Sequence, residues 1–363
     1  MAKFGRRKPS FLASLSVAVL LAIAACGSGT AAASPFVQRW GTKFAVDGST
    51  FLFNGFNTYW LMTAASDNLQ AKVSQTFSEA AADGLTVCRT WAFSDGGQGA
   101  LQQSPGVYNE NVFRALDFVI SEARNHGIRL ILSLVNNYKD YGGKSQYVEW
   151  ARSAGVNIGG EDDFFTNPTL QAWAQEMASF TKSIDNNHLV AVGVEGFYGD
   201  TTPDKIQQYN PNGYRFGADF IAIHQIKEID YVNFHAYPDS WLENQPDAAR
   251  TDFLWKWIWI HWQDSLKTLG KPLVFGEFGK SMKTPGYSEQ MRVALFDIVY
   301  NDVYKYAKTG SGSFGGGIVW QLSTEGMDSF GDGYDIVLPQ SPATKEVMAQ
   351  QSRRMRLLAE LLH

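Results

Sequence analysis

Cysteine is nearly absent: two occur in 363 residues, and Cys26 falls inside an N-terminal stretch with the character of an export signal. Cys88 is then left without an internal disulfide partner, so stability has to come from a packed core even in an oxidising compartment. Charge is sparse at 18%, while 45% of residues are hydrophobic, a balance that excludes a disordered chain. Lys and Arg are outnumbered by Asp and Glu, 31 to 36, and no basic block occurs, so nucleic acid is not an expected partner. The six histidines include no H-x-x-x-H spacing and no Cys/His cluster, so no metal is expected, and nothing indicates a cofactor. No G-x-S-x-G elbow is present, which removes the serine-esterase reading. Gly310-Ser311-Gly312-Ser313-Phe314-Gly315 satisfies G-x-G-x-x-G but precedes a strand-like run, so it lacks the strand-to-helix turn that cradles a pyrophosphate. Asn167-Pro168-Thr169 is excluded as a glycosylation sequon by its proline, and no other sequon occurs.

Residues 1–33 supply what an export signal needs. Lys3, Arg6, Arg7 and Lys8 precede an apolar run from Phe11 to Ala25, too short to favour a membrane span, and Ala31-Ala32-Ala33 offers a small-residue cleavage site. Ile23-Ala24-Ala25-Cys26 also has the form of a bacterial lipid-attachment box, although the later cleavage site explains the segment better. Removal of the signal takes the net charge from −5 to −9 and leaves residues 34–363 as one domain, with no linker, low-complexity tract or short repeat to divide it. A secreted, extracellular location and a monomer are the expectations. Aromatic residues make up 14% of the chain, with eleven Trp. Most belong to the core, but such an excess in an acidic secreted protein also suits stacking against flat sugar faces.

Seven short apolar runs alternate with helix-like stretches: Phe51–Phe56, Thr86–Trp91, Arg129–Val135, Leu189–Val194, Tyr231–His235, Leu273–Glu277 and Gly317–Gln321. Asn111 to His126 carries apolar residues at helical spacing and stops at Gly127; Phe253 to Leu269 stops in the same way at Gly270. The starts of the runs are spaced by 35, 43, 60, 42, 42 and 44 residues. Five intervals fit one strand-plus-helix unit each, whereas the 60-residue interval is too long for one and too short for two. The pattern predicts an α/β fold, a (β/α)₈ barrel that is incomplete at its fourth strand.

In such barrels chemistry sits at the carboxyl ends of the strands. Asn57, Arg89, Trp91, Asn136-Asn137, Glu195, His235, Tyr237, Glu277 and Trp320 stand at those positions. Carboxylates, a His-x-Tyr and two Trp at one rim suit glycoside hydrolysis, in which one carboxylate attacks the sugar and a second carboxyl group protonates the leaving oxygen. Each also has a plainer reading. Glu277 could be an ion-paired structural residue, His235 a hydrogen-bonded core histidine, and Trp91 and Trp320 packing residues. Arg89 could pair with a neighbouring carboxylate, which would itself keep a nucleophile ionised. Glu195 reads as second to Glu277, more structural than catalytic.

Phe53-Asn54-Gly55-Phe56-Asn57-Thr58-Tyr59-Trp60, Cys88-Arg89-Thr90-Trp91-Ala92-Phe93, Tyr108-Asn109-Glu110-Asn111-Val112-Phe113, Phe234-His235-Ala236-Tyr237-Pro238-Asp239 and Phe275-Gly276-Glu277-Phe278-Gly279 together closely resemble the plant endo-β-1,4-mannanases of glycoside hydrolase family 5. The resemblance spans nearly all of the chain beyond the signal. It implies a (β/α)₈ barrel and retaining hydrolysis of β-1,4 linkages in mannans, galactomannans and glucomannans. By the same resemblance Glu277 matches the nucleophile, Trp91, His235, Tyr237 and Trp320 match substrate-binding residues, and Arg89 matches the arginine that supports the nucleophile.

One element of the family pattern is missing. Its acid/base is a Glu in an Asn-Glu-Pro context at the end of the fourth strand, and this chain has no such tripeptide. Its one Asn-Glu pair, Asn109-Glu110, belongs to the segment opening the helix before the third run. The chain follows the family to Thr169 and resumes at Leu170, so the fourth strand and the helix before it are expected to be absent. The chain then reads as a mannanase-like protein, inactive or severely impaired, whether a relic or the product of a mis-joined transcript. Two alternatives are a non-catalytic mannan-binding protein using Trp91, Tyr237 and Trp320, and an active mannanase with a substitute acid at Glu195 or in Glu161-Asp162-Asp163.

Overall fold

The computed structural model describes residues 36–157, 167–215 and 217–362, with residues 167–169 described through their backbone. The export signal and the Glu161-Asp162-Asp163 cluster lie outside the described residues.

An antiparallel ribbon of β1 (Gln38–Trp40), β2 (Lys43–Val46) and β3 (Ser49–Thr50) leads into the main sheet. That sheet has six parallel strands, β4 (Phe53–Asn57), β5 (Val87–Trp91), β8 (Arg129–Ser133), β9 (Val232–Ala236), β10 (Leu273–Phe278) and β11 (Phe314–Val319). Two small pairs, β6 (Gln102–Ser104) with β7 (Val107–Tyr108) and β12 (Leu322–Ser323) with β13 (Ile336–Val337), belong to the loops. The main sheet runs in the order β8-β5-β4-β11-β10-β9, so consecutive strands are neighbours except β8 and β9, and the last, β11, returns to pair with the first, β4. This is barrel topology, and among the described residues no strand fills the seam between β8 and β9.

Helices cover the outer face as the apolar spacing predicts. Glu110–Asn125 is opened by Asn109, whose side-chain oxygen accepts from the Asn111 amide, and buries Val112, Ala115, Leu116 and Val119. Gly127 follows it at φ +69°, a conformation that glycine adopts without steric cost. Asp247–Asp264 continues as a π turn to Leu269 and is ended by left-handed Gly270. Within the barrel, Phe44, Phe53, Val87, Tyr231, Val274 and Ile318 form a compact apolar layer, with Leu189 and Ala191 packed at its margin.

Six of the seven runs are strands. Leu189–Val194 is not: its backbone is irregular along its whole length. It lies against the β9 segment, but through a mixed set of bonds. The Asp230 amide donates to the Val190 carbonyl at 2.8 Å, the Val190 amide donates to the Asp230 carboxylate at 2.7 Å, and the His235 amide donates to the Glu195 carbonyl at 3.1 Å. A strand inside a barrel is held by ladders on both edges. Here no strand among the described residues lies on the other edge, and one-sided contacts do not impose ladder geometry.

Between β8 and β9 the described residues contain no strand. They contain helices Gly143–Ser153, which the sequence reading did not anticipate, and Asn167–Ile184, which runs unbroken across Thr169 and Leu170. Burial differs along the sheet: every residue of β8 is part-exposed, whereas every residue of β4 and β9 is buried. The third run also stops short of the predicted Val135, and Leu134 and Val135 face solvent.

Candidate active site

Glu277 lies near the carboxyl end of β10, directly opposite His235 of β9. Arg89 of β5 is register-paired with Asn57 of β4 and reaches across the barrel mouth. Its Nη1 contacts Glu277 Oε1 and donates to Asn57 Oδ1 at 3.0 Å. Asn57 is held in turn by its amide nitrogen, which donates to the Gly276 and Val319 carbonyls at 3.0 and 3.1 Å. The Tyr237 hydroxyl donates to Glu277 Oε2 at 2.7 Å. Both carboxylate oxygens of Glu277 therefore have partners, and the group is largely buried.

Burial alone would push the Glu277 carboxyl up. Electrostatic interaction with His235 and Arg89 and the hydrogen bonds from Tyr237 and Arg89 outweigh it and hold the group below its ordinary value, so it is ionised at neutral pH. The Tyr237 phenol moves the other way. Burial, the negative charge of Glu277 and the hydrogen bond it donates there keep it protonated well above the usual tyrosine range.

His235 is positioned from below. Asn233, two residues earlier on the same face of β9, brings its amide nitrogen to 3.1 Å from His235 Nε2. Gly276 makes room for that amide, because a Cβ there would lie 2.0 Å from Asn233 Oδ1. With the Asn233 amide donating to Nε2, the ring proton belongs on Nδ1. That atom faces two carboxylates, with Glu277 Oε2 at 3.7 Å and Glu195 Oε2 at 3.5 Å.

The aromatic residues form one wall. Trp91 ends β5 and Trp320 follows β11; Tyr59 sits between them, 4.7 Å from the Trp91 ring and 6.1 Å from the Trp320 ring, nearly parallel to the latter at 9°. Trp320 donates its indole N–H to Asp332 at 2.6 Å, and Tyr59 donates to the Phe330 carbonyl at 2.8 Å. Tyr141 packs edge-on against Trp91.

Of the residues singled out in the sequence, Arg89, His235, Tyr237, Glu277 and Glu195 converge, while Trp91 and Trp320 stand along one wall with Tyr59. Tyr59, Tyr141 and Asn233 had no assigned place; Tyr59 was within reach, since it directly precedes Trp60 in the first quoted motif. Asn136 and Asn137 lie in the loop beyond β8, where the Asn136 side chain accepts from the Tyr138 amide. Glu110 stands in the first turn of its helix behind the Asn109 cap, a favourable place for a carboxylate. Among the described residues no group of three or more His, Cys, Asp or Glu side chains is arranged to hold a metal ion.

Comparison with known proteins shows the family and the fold. The family model described as GH family 5 beta-mannosidase-like matches residues 34–162 and 157–325, in two stretches that meet where the spacing of runs is anomalous. Mannan endo-1,4-beta-mannosidase 5 of Solanum lycopersicum is 48% identical over 377 aligned positions, covering 90% of this chain and 90% of the relative. Mannan endo-1,4-beta-mannosidase 1 of Oryza sativa subsp. japonica is 46% identical and covers 90% of this chain and 87% of its own length. Among solved structures, the endo-1,4-beta-D-mannanase of Thermotoga petrophila superposes with a TM-score of 0.69 at 26% identity, over 84% of this chain and 99% of that one. The tomato alignment is longer than the part of this chain it contains, so the relative carries residues that have no counterpart here. With its motifs, its barrel topology and these relatives in agreement, the chain belongs to the β-mannosidase-like group of glycoside hydrolase family 5.

Proposed function

We propose that this chain is a secreted, mannan-directed member of its family in which the attacking half of a retaining site is intact and the usual proton donor is missing. The observation that carries the reading is the Glu277 carboxylate, held ionised between Arg89 and Tyr237 at the end of a barrel strand. Such a group can attack the anomeric carbon of a β-mannoside and hold it as a covalent glycosyl ester. The leaving oxygen then needs a proton, which a retaining enzyme supplies from a carboxyl group about 5–5.5 Å from the nucleophile. The Asn-Glu-Pro segment that carries this group in the family is not encoded, and loss of general acid/base help typically costs about 10²–10⁴ in rate.

The substrate class follows from the relatives, whose names give mannan endo-1,4-beta-mannosidase activity. Linkage position and retention are read from the resemblance, and export from residues 1–33. A second reading, non-catalytic mannan binding, is favoured by the Tyr59, Trp91 and Trp320 rings, which present stacked aromatic surface beside the carboxylate.

The test is a pair of substrates. 2,4-Dinitrophenyl β-mannoside has a leaving group that departs without a proton, so the reading expects a burst of dinitrophenolate with one mannosyl group trapped on Glu277. Mannan itself should be cleaved far more slowly than by the full-length relatives. No burst and no covalent adduct would remove the catalytic reading; calorimetric binding of mannohexaose alone would leave the binding one.

A further inference from the structure

We infer that Glu195 serves as the proton donor and acceptor of this site, in place of the group the chain does not encode. The inference rests on the reading of Glu277 as the attacking group and adds its partner.

His235 Nδ1 faces Glu277 Oε2 at 3.7 Å and Glu195 Oε2 at 3.5 Å. The two carboxylate oxygens therefore lie no more than about 7 Å apart, a bound that admits the separation of about 5–5.5 Å in a retaining pair. Glu195 Oε2 and His235 Nδ1 are both buried and neither has a hydrogen-bond partner, so the pair is poised without being committed elsewhere. The rest of the Glu195 side chain is open, 37% exposed against 13% for Glu277. One end of the group faces the histidine and the other is accessible to sugar and water, as a donor that must later exchange its proton with solvent has to be.

Its backbone explains how it came to stand there. Glu195 follows the irregular Leu189–Val194 segment and is tied to β9 by its carbonyl, which accepts from the His235 amide at 3.1 Å. The groups facing Glu195 are His235 from β9, Tyr237 just beyond it, Glu277 from β10 and Tyr138 from the loop after β8; the two tyrosines feel the charge of both carboxylates.

In the first step a Glu277 oxygen bonds to the anomeric carbon as the glycosidic C–O bond breaks. The bonding pair leaves with the oxygen, which takes the proton of the Glu195 carboxyl group. In the second step water attacks the same carbon, gives its proton to the Glu195 carboxylate and displaces Glu277. Both groups return to their starting states, and the net change is hydrolysis of one linkage.

The experiment compares the full chain with its Glu195→Gln and Glu277→Gln variants on mannohexaose and on 2,4-dinitrophenyl β-mannoside. Glu195→Gln should lower kcat/KM on mannohexaose about 100-fold and remove the alkaline limb of its pH profile. The dinitrophenolate burst should change by no more than about twofold, because that leaving group needs no acid. Azide should speed turnover of the trapped intermediate in Glu195→Gln and give β-mannosyl azide, since an anionic nucleophile needs no base. Glu277→Gln should lose both reactions. If Glu195→Gln matches the parent on mannohexaose, or if the parent gives the burst and never turns mannohexaose over, the inference falls while Glu277 keeps its role. If the parent releases no dinitrophenolate, the reading of Glu277 falls with it. Should Glu195→Gln melt below the parent, Glu195→Asp keeps the charge on a shorter arm and must still slow mannohexaose more than the dinitrophenyl substrate.

Discussion

Tyr237 leaves β9 and donates its hydroxyl to Oε2 of Glu277 on β10 across 2.7 Å, a contact that adds to the electrostatics of both groups. It helps hold the carboxyl ionised and keeps the phenol protonated, so each stabilises the other in the state a nucleophilic carboxylate requires.

Tyr237→Phe removes that donor without changing the ring. A hydrogen bond to a charged group contributes about 1.5–3 kcal/mol. Its loss favours the neutral carboxyl, so the acid limb of the dinitrophenyl burst should move to higher pH, with a fall of about tenfold or more in the burst rate at neutral pH. Burst rate against pH measures both, and an unmoved limb would contradict the account.

Arg89→Met leaves a largely buried carboxylate without its cation, a change that costs about 3–5 kcal/mol where the remaining charge is uncompensated. The folded carboxyl of Glu277 lies below its unfolded value, so its stabilising contribution is present above the unfolded value and is lost as pH falls through the folded one. The deficit of Arg89→Met should therefore be greatest at neutral pH and shrink in acid. Urea unfolding at pH 7 and pH 4 checks the trend, and a double variant with Glu277→Gln should recover much of the loss.

His224 is fully buried between two backbone groups: its Nδ1 lies 2.8 Å from the Phe220 carbonyl, and its Nε2 accepts from the Asn233 amide at 3.2 Å. This arrangement fits only the neutral ring, and burial lowers its pKa to about 3. The unfolded chain takes up the proton near pH 6.5, so folding loses stability as pH drops below that value, by about 2 kcal/mol at pH 5 from this residue alone. Thermal melts from pH 7.5 to 5 should show the decline, and His224→Asn should flatten its slope while lowering the melt at neutral pH.

The unpaired side of β8 has no ladder to protect it. Amide hydrogens of Arg129–Ser133 that point to the seam should exchange faster than those of β4 and β11, which have neighbours on both sides. Peptide-resolved hydrogen exchange decides this, and equal protection would mean that the seam is closed in solution.

The motifs picked out Arg89, His235, Tyr237 and Glu277, and the periodicity picked out six of the segments that are strands. Phe53–Asn57, Val87–Trp91 and Leu273–Phe278 were legible because strands covered on both faces read as short, nearly continuous apolar runs. The helix ends at Gly127 and Gly270 were legible because the left-handed turn that follows a helix selects glycine. Even the gap was legible, as an interval of 60 residues and a missing Asn-Glu-Pro. Tertiary structure alone decided that Leu189–Val194 is no strand, since its apolar residues have the right local character and the outcome depends on a neighbour elsewhere in the chain. It alone also decided that Glu195 and Glu277 share one histidine. That depends on the register of β9 against β10 and on Asn233 holding the ring from below, relations between segments tens of residues apart that no local pattern records.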